Sequence, residues 1–267
     1  FPMKIVLFLF FLVSISAPLM SQEVIVEDTS SIHVNEAIVI LPGFGDTKKG
    51  RKNQKSFFQH KGYDLYIPKY KDSKSLDNCV KNLEFFYEQQ DLHQYDKVHF
   101  FSYIVGSWTL NKFILKNGIR NISSIVYDRS PIQERAPYIV DKHLGFLVWL
   151  KGLKHIMNEM ARTPYIPIEK GGIDIGIIIE NKATPLMRVY KKKALKMGEI
   201  LWNVPSLKQS HDDYHYTWLN HDQMYTRFDI VGAEIFNFIK RGTFSTNAKR
   251  EKYVWDPFVS YKKEGLK

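Results

Sequence analysis

Runs of β-branched and aliphatic residues recur along this chain, each closed by a turn signal and followed by a stretch whose apolar residues fall three and four apart. Ala37-Ile38-Val39-Ile40-Leu41 is the first, and Pro42-Gly43-Phe44-Gly45-Asp46 ends it. Residues 98–101, 122–127 and 173–179 repeat the pattern, with a further strand read at 63–68. Near-continuous apolar runs suit strands covered on both faces, because strict alternation would carry polar side chains into a core. Between the runs, Leu76, Cys79, Val80, Leu83, Phe86 and Tyr87 form one face of a helix over residues 75–90, and 108–115 reads as another. The alternation predicts right-handed crossovers and an α/β fold, a mostly parallel sheet with helices on both faces. A last strand is expected at 214–219 and a closing helix at 230–244.

Composition supplies the remaining bounds. With 267 residues, 44% of them hydrophobic, the chain can bury a sizeable core, which excludes disordered, collagen-like and disulfide-stapled classes. Its one cysteine, Cys79, permits no intrachain disulfide. A net charge of +10 favours an acidic protein or an anionic membrane surface as partner. Arg188, Lys191, Lys192, Lys193 and Lys196 gather on a helix expected after Pro185, but no motif interleaves basic residues with base-stacking aromatics, so no nucleic acid is expected.

At the start, Met3-Lys4, the nine-residue apolar run from Ile5 to Val13 and small residues up to Ser21 have the layout of a secretory signal peptide. Residues 1–21 are therefore expected to direct export or entry into an organelle lumen, with a retained membrane anchor as the alternative. Residues 22–244 then form the domain, and 245–267 a basic, aromatic tail. Within the domain, residues 142–160 carry Leu144, Phe146, Trp149, Leu153, Ile156 and Met160 and read as one helix. It lies between two strands, which suits a helical cap at about 132–170 above a ligand cavity.

Four segments together resemble an α/β-hydrolase of the lipase and esterase type over roughly residues 37–244. Leu41-Pro42-Gly43-Phe44-Gly45 resembles the loop that supplies an oxyanion-hole amide. Val98 to Gly106 takes the place of the strand and nucleophile elbow, Tyr127 to Pro131 the end of the next strand, and Tyr216 to His221 with residues 230–244 the histidine loop and closing helix. The resemblance implies a Gly-x-Ser-x-Gly elbow, backbone amides of Phe44 and Val105 as oxyanion-type donors, and His221 as base. Here the elbow reads Ser102-Tyr103-Ile104-Val105-Gly106. Ile104 has no lone pair to attack a carbonyl and no proton for His221 to remove, so ordinary acyl-enzyme chemistry is excluded. A β-branched residue also avoids positive φ, which predicts a relaxed turn.

Ser102 and Ser107 are displaced from the elbow apex by two or three residues and are weak substitutes. The family's acid is expected near Gly198, where only Glu199 is acidic; Glu180, directly after the run at 173–179, is a further candidate. Asp212 and Asp213 fall at the far end of the last strand and read as turn formers. No cofactor and no metal set is expected, since His211, His215 and His221 cannot converge along one strand. The expectation is a catalytically degenerate hydrolase-fold protein, with nucleophile and acid positions lost, that binds a lipid-like small molecule under the cap or a protein partner. Two alternatives remain: an esterase-like enzyme using non-standard residues with His221, and a structural subunit of an exported or membrane-bound assembly.

Overall fold

The computed structural model describes residues 23–25, 34–150 and 152–259. The expected leader at 1–21 and residues 260–267 of the tail lie outside the described residues. Along the chain run β1 (Glu23–Ile25), β2 (Glu36–Leu41), α1 (Lys48–Phe58), β3 (Asp64–Ile67), α2 (Leu76–Gln89), β4 (Lys97–Ser102), α3 (Ile104–Asn117) and β5 (Ile122–Arg129). Then come α4 (Ala136–His143), α5 (Gly145–Leu150), α6 (Lys154–Arg162), β6 (Asp174–Lys182), α7 (Pro185–Val189), α8 (Lys191–Leu195), β7 (Asp213–Asn220), α9 (His221–Thr226) and α10 (Phe228–Arg241). The sheet order is β1-β3-β2-β4-β5-β6-β7, parallel throughout except for β1, which pairs antiparallel with β3 at the edge.

Successive strand residues feed opposite faces, which is why the runs are apolar without alternation. Phe100 and Ile125 pack with Leu83, Phe86 and Phe113 from α2 and α3 on one side. Phe101 and Val126 pack with Phe228, Ile235 and Phe238 from α10 on the other. Ser75 caps α2 by accepting the Asn78 amide at 3.1 Å, and Gly242 ends α10 in the left-handed region at φ 69°. At Gly106 an added Cβ would sit 2.7 Å from the Leu41 carbonyl oxygen, so α3 crosses β2 at a separation that only glycine permits.

Two expected helices are differently cut. Residues 142–160 are not one helix but the end of α4, then α5 and α6; the chain breaks around Leu144 and again at Gly152, which takes φ 67°. Pattern alone reads through such breaks, because apolar spacing continues across them. In α5, Phe146, Trp149 and Leu150 point outward, 71%, 61% and 60% exposed. The basic stretch after Pro185 is divided into α7 and α8, with Thr184 capping the first. Meanwhile α3 begins four residues before the pattern at 108–115 suggests. Among the described residues, no helix is long and apolar enough to cross a membrane.

Candidate functional site

The carboxyl ends of the parallel strands converge beneath α4 and α6, where open α/β sheets place their ligands. The loop after β2 forms one wall and is firmly tied. Tyr70 donates to the Pro42 carbonyl at 2.8 Å, Lys71 Nζ to the Gly43 carbonyl at 2.7 Å, and Arg51 Nη2 to Asp46 at 2.6 Å. Burial alone would raise the Asp46 carboxyl, but the Arg51 hydrogen bonds and the Lys71 charge hold it below its ordinary value. The loop's Gly43 amide does not face open space; it donates to the Tyr225 hydroxyl at 2.9 Å. Tyr225 in turn stacks on Tyr103, ring centroids 3.9 Å apart and planes 9° from parallel.

At the elbow, β4 ends at Ser102 and α3 starts at Ile104, with Tyr103 in extended backbone at φ −77°. Among the described residues, non-glycine positive φ is confined to His60, Asp91, Arg120 and Lys208, so Ile104 carries none of the strain that displays a nucleophile. Its side chain lines the cavity, as does Val105. Ser102 and Ser107 turn inward instead: both are fully buried, their Oγ atoms are 3.1 Å apart, and Ser107 Oγ also lies 3.2 Å from the Tyr103 carbonyl oxygen, to which it donates.

His221 is the first residue of α9. Asn220 caps that helix, accepting the Gln223 amide at 2.9 Å while the Gln223 side chain accepts the Asn220 amide at 3.1 Å, and this capping box fixes where the imidazole leaves the backbone. The expected loss of an orienting acid is corrected here. Glu180, which falls within β6 rather than after the strand, lies 2.6 Å from His221 Nδ1 through Oε1. Glu199 is exposed, and Arg135 donates to the backbone carbonyls of both Gly198 and Glu199, so the acid expected there is not beside His221. Asp212 and Asp213 hold other parts of the fold: Asp212 accepts the Ile175 amide, and Asp213 the Phe244 amide and the Arg250 guanidinium.

A second carboxyl joins the pair. Asp128, near the end of β5, lies 3.5 Å from His221 Nδ1; it is fully buried, and neither of its oxygens has a hydrogen-bond partner. Sequence reasoning missed it; the available signal was a carboxyl at the carboxyl end of an otherwise apolar strand. Burial and the Asp128 charge push the Glu180 carboxyl well up, against the opposing pull of the imidazolium. Burial works against a charged His221, but the Glu180 charge and the neighbouring Asp128 outweigh it, so the imidazole titrates well above its ordinary value. The carboxyls behind the ring thus favour its protonated form.

Asp128, Glu180 and His221 each offer a ligand-type atom within 4.8 Å of the others. The 2.6 Å between Nδ1 and Oε1 is a hydrogen-bond length, shorter than the ~3 Å or more between neighbouring ligands around an ion with ~2.1 Å bonds. A metal would have to part imidazole and carboxylate to enter. His221 Nε2, with Nδ1 taken, serves a cavity of about 160 Å³ whose lining includes Phe44, Ile104, Val140, Met157, Leu186 and Gln133. Such an arrangement can donate one charge-assisted hydrogen bond into an apolar space. Among the described residues, no hydroxyl is placed within hydrogen-bond reach of the imidazole.

No protein-family profile and no curated protein matches the sequence. Solved structures do. A lipase of Bacillus licheniformis in its mature form superposes with a TM-score of 0.54 at 12% identity, over 84% of this chain and 98% of that one. A bromoperoxidase from Bacillus anthracis gives 0.51 at 12%, over 82% and 94%, and an α/β-hydrolase domain-containing protein from mouse gives 0.50 at 8%, over 82% and 92%. At these identities the likeness establishes the fold, and the chain has the α/β-hydrolase fold.

Proposed function

We propose that this is a hydrolase-fold protein that has set aside acyl-enzyme chemistry and binds a small, lipid-like molecule under the cap, its carbonyl or carboxylate oxygen accepting a hydrogen bond from His221. The observation that carries the reading is the inert Ile104 side chain on the wall of the cavity that His221 serves. Two features support it. The carboxyls behind the imidazole raise its pKa, which favours a donor over a general base at this ring. The Gly43 amide, next to the Phe44 amide expected as the oxyanion-type donor, is already satisfied by Tyr225, which ties the loop to α9.

The test joins two measurements on the purified chain. A fluorescent polyene fatty acid, cis-parinaric acid, should bind saturably, and His221→Ala or the cavity-filling Val140→Trp should weaken it about tenfold or more. A fluorophosphonate probe should not label the protein, nor the Ile104→Ser variant, whose hydroxyl would sit on a relaxed turn. Labelling of the natural chain that disappears in Ser102→Ala or Ser107→Ala would overturn the reading. The rival is a hydrolase that uses His221 on a bound water, favoured by the intact His221–Glu180 pair; it demands ester turnover that climbs steeply at alkaline pH as the imidazolium loses its proton.

A further inference from the structure

The tip of the cap carries a surface that the cavity beneath it does not use. In α5, Phe146, Trp149 and Leu150 stand at the i, i+3, i+4 spacing of one helix face, each more than half exposed. The Phe146 and Trp149 rings lie together, centroids 6.1 Å apart and planes 24° from parallel, so the face is one patch. Three such side chains expose on the order of 400 Å² of apolar surface, about half of what each partner in a stable protein pair buries.

The charge around the patch has one sign. From Lys142 to Asn158 the sequence holds no acidic residue. The acids that bound this stretch are engaged within the fold: the Asn158 side-chain amide donates to both Asp141 oxygens at 3.2 Å, and Glu159 Oε2 accepts the Leu76 amide at 2.8 Å. Lys142 and Lys154, on either side of α5, are exposed; Lys142 Nζ gives one hydrogen bond to the Tyr138 hydroxyl at 2.9 Å and keeps two further N–H groups. His143 stacks on Tyr190, ring centroids 5.8 Å apart, which brings the end of α4 against the junction of α7 and α8. There the sequence is again free of acids from Asn181 to Gly198, and Lys192, Lys193 and Lys196 are exposed. A protruding aromatic and aliphatic face set among lysines is the composition that seats a helix at the headgroup level of an anionic bilayer. An acidic protein would meet the lysines but would also need pockets for the rings, and a second copy of this chain would bring its own lysines against these. We infer that the tip of the cap docks on the surface of an anionic lipid bilayer, Phe146, Trp149 and Leu150 entering the headgroup region while the lysines meet lipid phosphates. Docking asks nothing of His221 and is independent of what the cavity holds.

Flotation of the full chain with two sets of vesicles tests this, one of phosphatidylcholine alone and one with about a third phosphatidylserine. The phosphatidylserine vesicles should bind at least about tenfold more tightly, and ~1 M salt should remove most of that preference. Phe146→Ser combined with Trp149→Ser should weaken binding about tenfold or more, and Lys142→Gln combined with Lys154→Gln about fivefold or more, both with unchanged thermal melts because all four side chains are exposed. Tryptophan emission should shift to the blue on the anionic vesicles, and the shift should shrink in Trp149→Phe, which keeps a ring and still binds. Failure to bind either set of vesicles overturns the inference, as does equal binding to both or binding indifferent to the substitutions. A dimer that forms without vesicles and dissociates in the Phe146→Ser, Trp149→Ser chain also overturns it, since the face would then belong to a second copy.

Discussion

Asp128→Asn isolates the proton that the buried cluster holds. Glu180 is raised by burial first and by the Asp128 charge second, with the imidazolium pulling the other way. In the unfolded chain a glutamate releases its proton near pH ~4.3, so between there and its raised folded value the native state binds a proton that the unfolded state does not. Stability contributed by this group therefore falls as pH rises above the unfolded value, by on the order of 1 kcal/mol per pH unit for one proton. In Asp128→Asn the second charge is gone, and Glu180 ionises against an imidazolium only 2.6 Å away. Burial still opposes ionisation, so the slope should shrink by at least half rather than vanish. Urea unfolding of both chains at pH 5, 6 and 7, followed by tryptophan fluorescence and circular dichroism, reads the difference. His99 and His215, whose pKa values are lowered chiefly by burial, contribute equally to both chains and cancel. Parallel stability curves for the two proteins would refute the shared-proton account.

Other perturbations probe the frame around the site. Gly106→Ala drives a methyl group into the Leu41 carbonyl, a backbone atom that cannot move without β2, and should cost ~1–3 kcal/mol in urea unfolding; a loss under about 0.5 would mean that helix and strand are less tightly apposed. Tyr225→Phe leaves the buried Gly43 amide without its acceptor and should destabilise by ~1–3 kcal/mol, measured by the same method; an unchanged midpoint would show that the amide finds another partner. Burial pushes the Cys79 thiol up to about 11, so a disulfide reagent at pH 8 should modify it only after unfolding, and rapid reaction of the native chain would contradict its placement.

The fold was legible because the apolar runs carry it: Phe100 and Phe101 feed opposite faces, and only a doubly covered strand tolerates both. Ile104 was legible too, since its inertness is a property of the side chain alone. The acid was not. Counting residues back from His221 points to Gly198 and Glu199, but a partner is chosen by sheet order, and β6 sets Glu180 beside the imidazole from 41 residues away. Asp128 was hidden for the same reason, since β5 neighbours β6 only in three dimensions. Tyr225 lay beyond reach because its role depends on three glycines, Gly43, Gly45 and Gly50, each too close to it to carry a side chain freely. The breaks in residues 142–160 escaped because helical spacing persists through a left-handed glycine.

The segment above the cavity leaves the sheet after β5 and rejoins it at β6, strands that lie side by side. The two strands run parallel, with Ser124 beside Asp174 and Arg129 beside Ile179, so the segment starts at one end of the sheet and finishes at the other: it is the crossover between the strands as well as the roof of the cavity. Changes confined to the roof can alter the size and shape of what is admitted, while His221, Glu180 and Asp128, all seated on or beside strands, stay in register.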